Sequence, residues 1–143
     1  MAFLTKILAH VNIIAVIVSG VAFWILGALW FGLLFGKTWG NELEKHGVKI
    51  SEPGKGGMAG KFIGTFIMEM LVAFACSVLI WFMGIETLAQ AIKLGLGVGI
   101  CFAALPMMIA YSWESRPMKL VLIDIGYPIL GITLSMIIIT LWK

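Results

Sequence analysis

The stretch Trp113–Pro128, WESRPMKLVLIDIGYP, joins a charged turn to an apolar helix that carries an aspartate inside it. The turn holds Glu114, Arg116 and Lys119, and the apolar run continues past Asp124. An ionised carboxylate is costly in hydrocarbon, so an aspartate inside a membrane helix needs a partner, a proton or a cavity. We therefore expect the other helices to surround or face this stretch.

Composition indicates an integral membrane protein. Apolar residues make up 62% of the 143 residues and charged residues 12%, against roughly 45–50% and about 25% in soluble domains. The length suits about four helices of about 20 residues each. The net charge is +3, and five of the nine lysines lie in or directly beside one connecting segment. This clustering indicates membrane orientation rather than nucleic-acid binding. The lipid bilayer and other membrane proteins are thus the expected partners.

The apolar runs predict an all-α fold with four transmembrane helices in an up-down-up-down antiparallel bundle, forming a single membrane domain. The predicted spans cover residues 11–35, 61–83, 88–111 and 118–142. The polar loop 36–60 is expected to hold one or two helical turns over Asn41–His46, capped by Thr38 or Asn41 and stopped by Gly47. Short second and third connections predict that helices 2, 3 and 4 are sequential neighbours. Pro106 is expected to kink the third helix.

Basic residues predict the orientation of the bundle. One side of the predicted membrane holds Lys37, Lys45, Lys49, Lys55, Lys61, Arg116 and Lys119. The other side holds Lys6, Lys93 and Lys143. Because basic residues collect in cytoplasmic loops, both termini are predicted to lie outside the cytoplasm.

Small residues recur four apart on three of the predicted helices. They are Ala28, Gly32 and Gly36 in helix 1, Gly60 and Gly64 in helix 2, and Gly95, Gly99 and Ala103 in helix 3. Small side chains at this spacing let helix backbones approach closely within a membrane. The set exceeds what one four-helix monomer needs, so it predicts association with further copies or subunits.

Several segments together resemble a family of short bacterial membrane proteins that is catalogued only as a domain of unknown function. The segments are Asn12, Leu26–Gly32, Leu34–Trp39 and, most specifically, Trp113–Pro117 followed by Leu122–Tyr127. The resemblance covers essentially the whole chain in the same order. It implies four membrane helices, here expected in a bacterial inner membrane, and no assigned activity. It transfers no catalytic residue, because the family has none established.

Two carboxyl groups inside predicted spans are the main functional candidates. Glu69 and Asp124 lie about eight and seven residues from the same end of helices 2 and 4, so they are expected at similar depth. On a shared face they can hold one proton between them, or coordinate a cation together with Tyr127. Alternatively, Arg116 or a nearby lysine binds these carboxylates and locks the bundle.

Weaker polar candidates lie near the membrane boundaries. Glu114 belongs to the charged turn, and Asn12 at the start of helix 1 favours a helix cap or an interhelical hydrogen bond. Lys93 is expected to extend outward, with Glu86 or an acidic lipid as alternative partners. The two histidines fall on opposite sides of the membrane in this topology, so neither a metal site nor a cofactor is predicted.

These features favour a non-catalytic membrane protein that works by association, as a homo-oligomer or as an accessory subunit of a larger membrane complex. The alternative is a small proton- or ion-coupled transporter or channel that uses Glu69 and Asp124. A lipid-active enzyme comes third, because the sequence carries neither a Ser-His-Asp hydrolase pattern nor a G-x-S-x-G motif.

Overall fold

The fold is helical throughout the part of the chain that the structure, a computed structural model, describes: residues 2–48 and 58–142. Four helical segments there are long and apolar enough to cross a membrane. They are Ile13–Leu34, Met58–Phe82, Leu88–Trp113 and Met118–Leu141, called spans 1 to 4. The predicted all-α fold with four membrane helices is confirmed. The predicted orientation residues Lys49, Lys55 and Lys143 lie outside the described residues.

Each span is built from one or more helical segments. Span 1 consists of α2 (Ile13–Ala28) and a π-helical turn (Leu29–Leu34), and it is preceded by α1 (Ala2–His10) and followed by α3 (Gly36–Lys45). Span 2 is α4 (Met58–Phe82) and span 4 is α7 (Met118–Leu141). Span 3 consists of α5 (Leu88–Val98), a second π-helical turn (Gly99–Ala104) and α6 (Leu105–Trp113).

Span 3 starts sharply because its first turn is capped twice. The Thr87 hydroxyl accepts a bond from the backbone N–H of Gln90, at 3.3 Å, and the Gln90 side chain accepts one from the backbone N–H of Thr87, at 3.0 Å. This reciprocal pair satisfies N–H groups that the helix itself leaves without acceptors. Gly84, at φ +61°, lets the chain reverse between spans 2 and 3.

Pro106, which is expected to kink the third helix, lies where the α-helical hydrogen-bonding pattern of span 3 changes. It lies at the start of α6, immediately after the π-helical turn Gly99–Ala104. Proline cannot donate the hydrogen bond of a regular helical turn, and its ring crowds the preceding turn. The wider π turn accommodates this change in the bonding pattern within span 3.

The helix in the polar segment starts earlier than predicted. It begins at Gly36, directly after span 1, and not at Asn41, although Gly47 at φ +74° stops it as expected. The backbone N–H of Trp39 bonds to the carbonyl of Phe35 at 2.7 Å, which continues the helical path out of the membrane. The Trp39 ring also packs against Phe31 of span 1, with ring centres 5.2 Å apart, a contact that the local capping pattern does not contain.

Span 4 lies at the centre of the bundle. In the most apolar stretch of span 4, 50% of the residues are buried inside the protein, against 28%, 22% and 17% in spans 1, 2 and 3. It packs against all three other spans, whereas span 3 packs chiefly on span 4. Spans 2 and 3 contact each other little and share the buried cluster around their turn, at Ile80, Ile85 and Ala91. The predicted sequential neighbour order is wrong for helices 2 and 3.

Small residues explain how spans 1 and 3 reach span 4. A Cβ added at Gly95 would lie 2.7 Å from the Cα of Thr133, and one added at Gly99 would lie 2.8 Å from the Cα of Ile129. Ala103, the third member of that predicted set, packs against the main core cluster. On the other side of α7, a Cβ on Gly131 would overlap the Phe23 ring of span 1. Contacts at glycines on opposite sides of α7 thus make it the shared neighbour of spans 1 and 3.

The other predicted packing residues do not bring helices together within the described chain. A Cβ at Gly32, Gly60 or Gly64 would meet no other atom within 4 Å. Gly36 approaches only a carbonyl of its own preceding turn, and Ala28 is exposed. For these five positions the expected close helix contact inside one bundle is absent, because the helices they lie on pack through other faces.

Candidate functional site

Asp124 is buried, at 8% exposure, and both of its carboxylate oxygens have donors. The indole N–H of Trp39 donates to Oδ1 at 2.8 Å, and Arg116 Nη1 donates to Oδ2 at 3.4 Å. Arg116 also bonds to Glu114 at 2.6 Å and lies 4.2 Å above the centre of the Tyr111 ring. These contacts tie α3, the charged turn and the start of α7 to one another.

The charged turn places Arg116 next to α7. Ser115 adopts a left-handed conformation, at φ +53°, and the N–H of Arg116 bonds back to the carbonyl of Tyr111 at 3.2 Å. Pro117 then caps α7 in an extended conformation. The chain thus reverses direction within a few residues, and the Arg116 guanidinium lies beside the Asp124 carboxylate on α7.

Glu69 has a different environment from Asp124. The hydroxyl of Tyr127 donates to Glu69 Oε1, whereas Oε2 is buried and has no hydrogen-bond partner among the described residues. The phenol ring packs against Phe23 and Phe31, with ring centres 5.2 and 5.3 Å apart. A Cβ at Gly27 would lie 2.8 Å from the Tyr127 oxygen, so glycine leaves room for this hydroxyl.

The two carboxyl groups therefore form two separate sites. Tyr127 follows Asp124 by about one turn of α7, yet it bonds to Glu69, whereas Asp124 bonds to Trp39 and Arg116. Across the two described ranges no hydrogen bond joins the carboxyls to each other. An arrangement in which they share one proton through a direct bond is not formed here.

A cavity of about 700 Å³ lies between the second half of span 1, α3 and the first half of α4. Its aromatic walls are Trp24, Phe31, Trp39, Phe62 and Tyr127. Ala28 and Gly32 line the same space, so small residues of span 1 leave it open instead of packing against another helix. Glu69 lines the cavity, and so do Lys61 and Arg116.

The remaining polar candidates lie away from this cavity. Asn12 accepts a bond from the Ala15 N–H at 3.1 Å and donates to the Trp142 carbonyl at 3.0 Å, so it caps span 1 and joins it to the end of span 4. Lys93 is exposed and makes no ion pair with Glu86. Among the described residues, no group of three or more His, Cys, Asp or Glu side chains is placed to hold a metal ion.

Two tryptophan side chains make hydrogen bonds near Asp124 that the sequence analysis did not predict. Trp30 and Trp39 stand near the end of span 1, where tryptophan usually anchors a helix at the membrane surface. In the structure Trp30 donates to the carbonyl of Ile123 at 2.9 Å, next to the Trp39 bond to Asp124. The available signal was that a buried indole N–H needs an acceptor.

Comparison with known proteins identifies a family but no activity. No curated protein and no solved structure matches the chain. The family described as "Protein of unknown function (DUF1761)" matches residues 14–140, which include most of span 1 and all or nearly all of spans 2 to 4. The resemblance to a catalogued family of unknown function is thereby confirmed. The chain belongs to the DUF1761 family.

Proposed function

We propose that this protein is a non-catalytic membrane protein that works by association, either with further copies of itself or as an accessory subunit of a larger membrane complex. The observation that supports this proposal is the pair Gly60 and Gly64 on the surface of α4. A Cβ at either position would meet nothing within 4 Å in the described chain. Exposed apolar side chains continue this surface at Ile67 and Leu71.

Glycine inside a helix lowers the stability of that helix, so a glycine pair there calls for a compensating contact. The cost is roughly 1 kcal/mol per glycine relative to alanine. Gly95 and Gly99 offset this cost through their close approach to α7, whereas Gly60 and Gly64 gain no such contact among the residues that the structure describes. In a membrane, small residues four apart allow another helix to approach the backbone. A partner helix against this face of α4 accounts for both glycines.

The substitution Gly64→Leu tests the proposal, because its side chain has room in the monomer. We expect the wild-type protein to show a mass above that of one chain in mild detergent, or to co-purify with another membrane protein. Gly64→Leu should lose that association and keep the melting temperature. Native mass measurement gives the first result, and thermal unfolding gives the second.

Two controls make the comparison specific. Ala59→Leu places the same side chain on an exposed position of α4 that lies about 100° from Gly60 around the helix, so association should persist. Gly99→Leu should instead lower the melting temperature, because α7 lies against that position. A wild-type protein that is a stable monomer with no co-purifying protein would contradict the proposal.

A second candidate function is coupling to a proton or another ion at Glu69. It is favoured by the free Oε2 of Glu69 within the described chain, whereas Asp124 has donors on both oxygens. In reconstituted vesicles, a flux driven by a pH gradient should disappear in Glu69→Gln and persist in Glu86→Gln. Absence of flux in the wild-type protein would remove this candidate.

We also propose that both termini lie outside the cytoplasm of a bacterial inner membrane. Basic residues support this orientation, since Lys37, Lys45, Arg116 and Lys119 all belong to the segments that join spans 1 to 2 and 3 to 4, or border them. Lysines and arginines near the ends of spans favour the cytoplasmic side.

A further inference from the structure

We infer that the cavity between span 1 and α4 is a binding site for an organic ammonium ion, namely a small amine with at least one N–H on an apolar or aromatic body. The inference is independent of association through Gly60 and Gly64. The chemistry of the site rests on one unused acceptor, on the walls around it and on the charges that border it.

The unused acceptor is Glu69 Oε2. This oxygen is buried and has no hydrogen-bond partner in the described part of the chain, and Glu69 lines the cavity. Tyr127 has a single hydroxyl proton and donates it to Oε1, so it cannot also serve Oε2. Buried polar atoms are nearly always hydrogen-bonded in native proteins. A ligand that carries an N–H supplies the donor that is lacking once the Glu69 side chain turns this oxygen towards the cavity.

The walls favour a cation with an apolar body. Five aromatic side chains line the cavity, and they hold one another in place: Phe31 lies 5.2 Å from Trp39 and 5.3 Å from Tyr127, centre to centre. Trp24 and Phe62 form an edge contact at 6.2 Å on the same cavity. Aromatic faces attract ammonium groups within about 6 Å. The volume of about 700 Å³ falls within the roughly 300–1,000 Å³ of small-molecule sites.

The charges around the cavity favour a single positive group at Glu69. Arg116 is engaged by two carboxylates, Glu114 at 2.6 Å and Asp124 at 3.4 Å. Lys61 precedes Glu69 by eight residues on α4, roughly 12 Å along the helix. Among the described residues that line the cavity, Glu69 carries the only carboxylate. A monoamine therefore fits better than a long diamine.

The test compares two ligands with the same ring system. 1-Naphthylmethylamine carries an ammonium group, and 1-naphthalenemethanol carries a neutral hydroxyl in its place. Calorimetry with the full-length protein in mild detergent should show tighter binding of the amine by about tenfold or more, as expected for a hydrogen bond between charged groups. Glu69→Gln should remove that preference and leave binding of the alcohol unchanged.

The control Glu86→Gln also removes one carboxylate, but Glu86 lies in the exposed turn at the opposite end of span 2 and does not line the cavity. It should keep the preference for the amine. Gly32→Leu fills the cavity from the opposite wall, where a Cβ meets nothing within 4 Å, and it should weaken both ligands. If Glu69→Gln does not fold, Gly32→Leu still tests whether the ligands bind in this cavity.

Three results would overturn the inference: equal binding of amine and alcohol by the wild-type protein, unchanged amine affinity in a folded Glu69→Gln, or unchanged affinities in Gly32→Leu. If the proposed association through Gly64 is not observed, the ligand-binding measurements still test this inference, because Gly64 does not line the cavity. Gly64→Leu should bind the amine as the wild-type protein does.

Discussion

At the scale of single residues, the Asp124 carboxylate accepts bonds from two donors, one distant in the sequence and one in the turn that precedes its own helix. Trp39 reaches it from α3, and Arg116 reaches it from the turn before α7. A buried ion pair is not a reliable source of stability by itself, but removal of one partner leaves the other charge poorly compensated. Substitution of one partner alone should therefore destabilise the protein more than substitution of both.

Asp124→Asn should lower the stability of the bundle. The amide retains an acceptor for Trp39 but removes the charge that faces Arg116, at a cost of about 1–3 kcal/mol. Replacing Arg116 by Gln in the same chain should recover part of that loss. Unfolding in detergent, followed by circular dichroism, measures both variants.

The matched control is Glu114→Gln, which removes the other carboxylate from Arg116. That pair is partly exposed, with side-chain exposures of 30% for Arg116 and 52% for Glu114, and exposed pairs contribute roughly 0–1 kcal/mol. Its stability should fall less than that of Asp124→Asn. An Asp124→Asn variant as stable as the wild type would show that this carboxylate does not lock the bundle.

The sequence identified the polar residues inside the membrane but not which of them meet. Glu69, Asp124, Tyr127 and Arg116 were evident because each interrupts or borders an apolar run. Their partners depend on how the helices are rotated about their axes. An apolar helix with few polar groups gives little indication of that rotation, so the contacts of Tyr127 with Glu69 and of Trp39 with Asp124 could not be deduced.

At the scale of helices, the sequence predicts what local chemistry decides. Span lengths follow from the thickness of the hydrocarbon layer, and Gly47 stops α3 through its backbone conformation, as expected. The π-helical turns and the start of α3 at Gly36 were not predicted. They depend on packing between segments, which single-sequence patterns do not contain.

The central position of α7 was likewise beyond the reach of the hydrophobic pattern. Membrane helices are apolar on all sides, so no apolar stripe shows which face packs against protein. Close fits of individual residues decide it instead, as between Gly131 and Phe23 or between Gly99 and Ile129. The stretch Trp113–Pro128 nevertheless indicates the correct helix, because the other three spans all pack against α7.

At the scale of the whole molecule, the proposed orientation has a direct test. A cysteine at the exposed position Lys37 should react with a membrane-impermeant thiol reagent only after cell lysis. A cysteine at Glu86, in the turn at the opposite end of span 2, should react in intact cells. The reason is that the basic ends of the spans favour the cytoplasm.

The unsubstituted protein is the control for this labelling. Its own thiols are Cys76, which is buried, and Cys101, which lies within span 3, so neither should react with a charged reagent. Labelling of Lys37→Cys in intact cells, together with protection of Glu86→Cys, would reverse the orientation and leave the fold unchanged.

The central place of α7 also bears on how the protein is made. A ribosome releases the chain from its N-terminus at about 5–20 residues per second, so span 4 is the last of the four spans to leave it. Span 3 packs chiefly on span 4, and the bond from Asn12 to Trp142 joins the two ends of the membrane region. The earlier spans therefore enter the bilayer before their shared neighbour exists, and the bundle closes only when translation has passed its final helix.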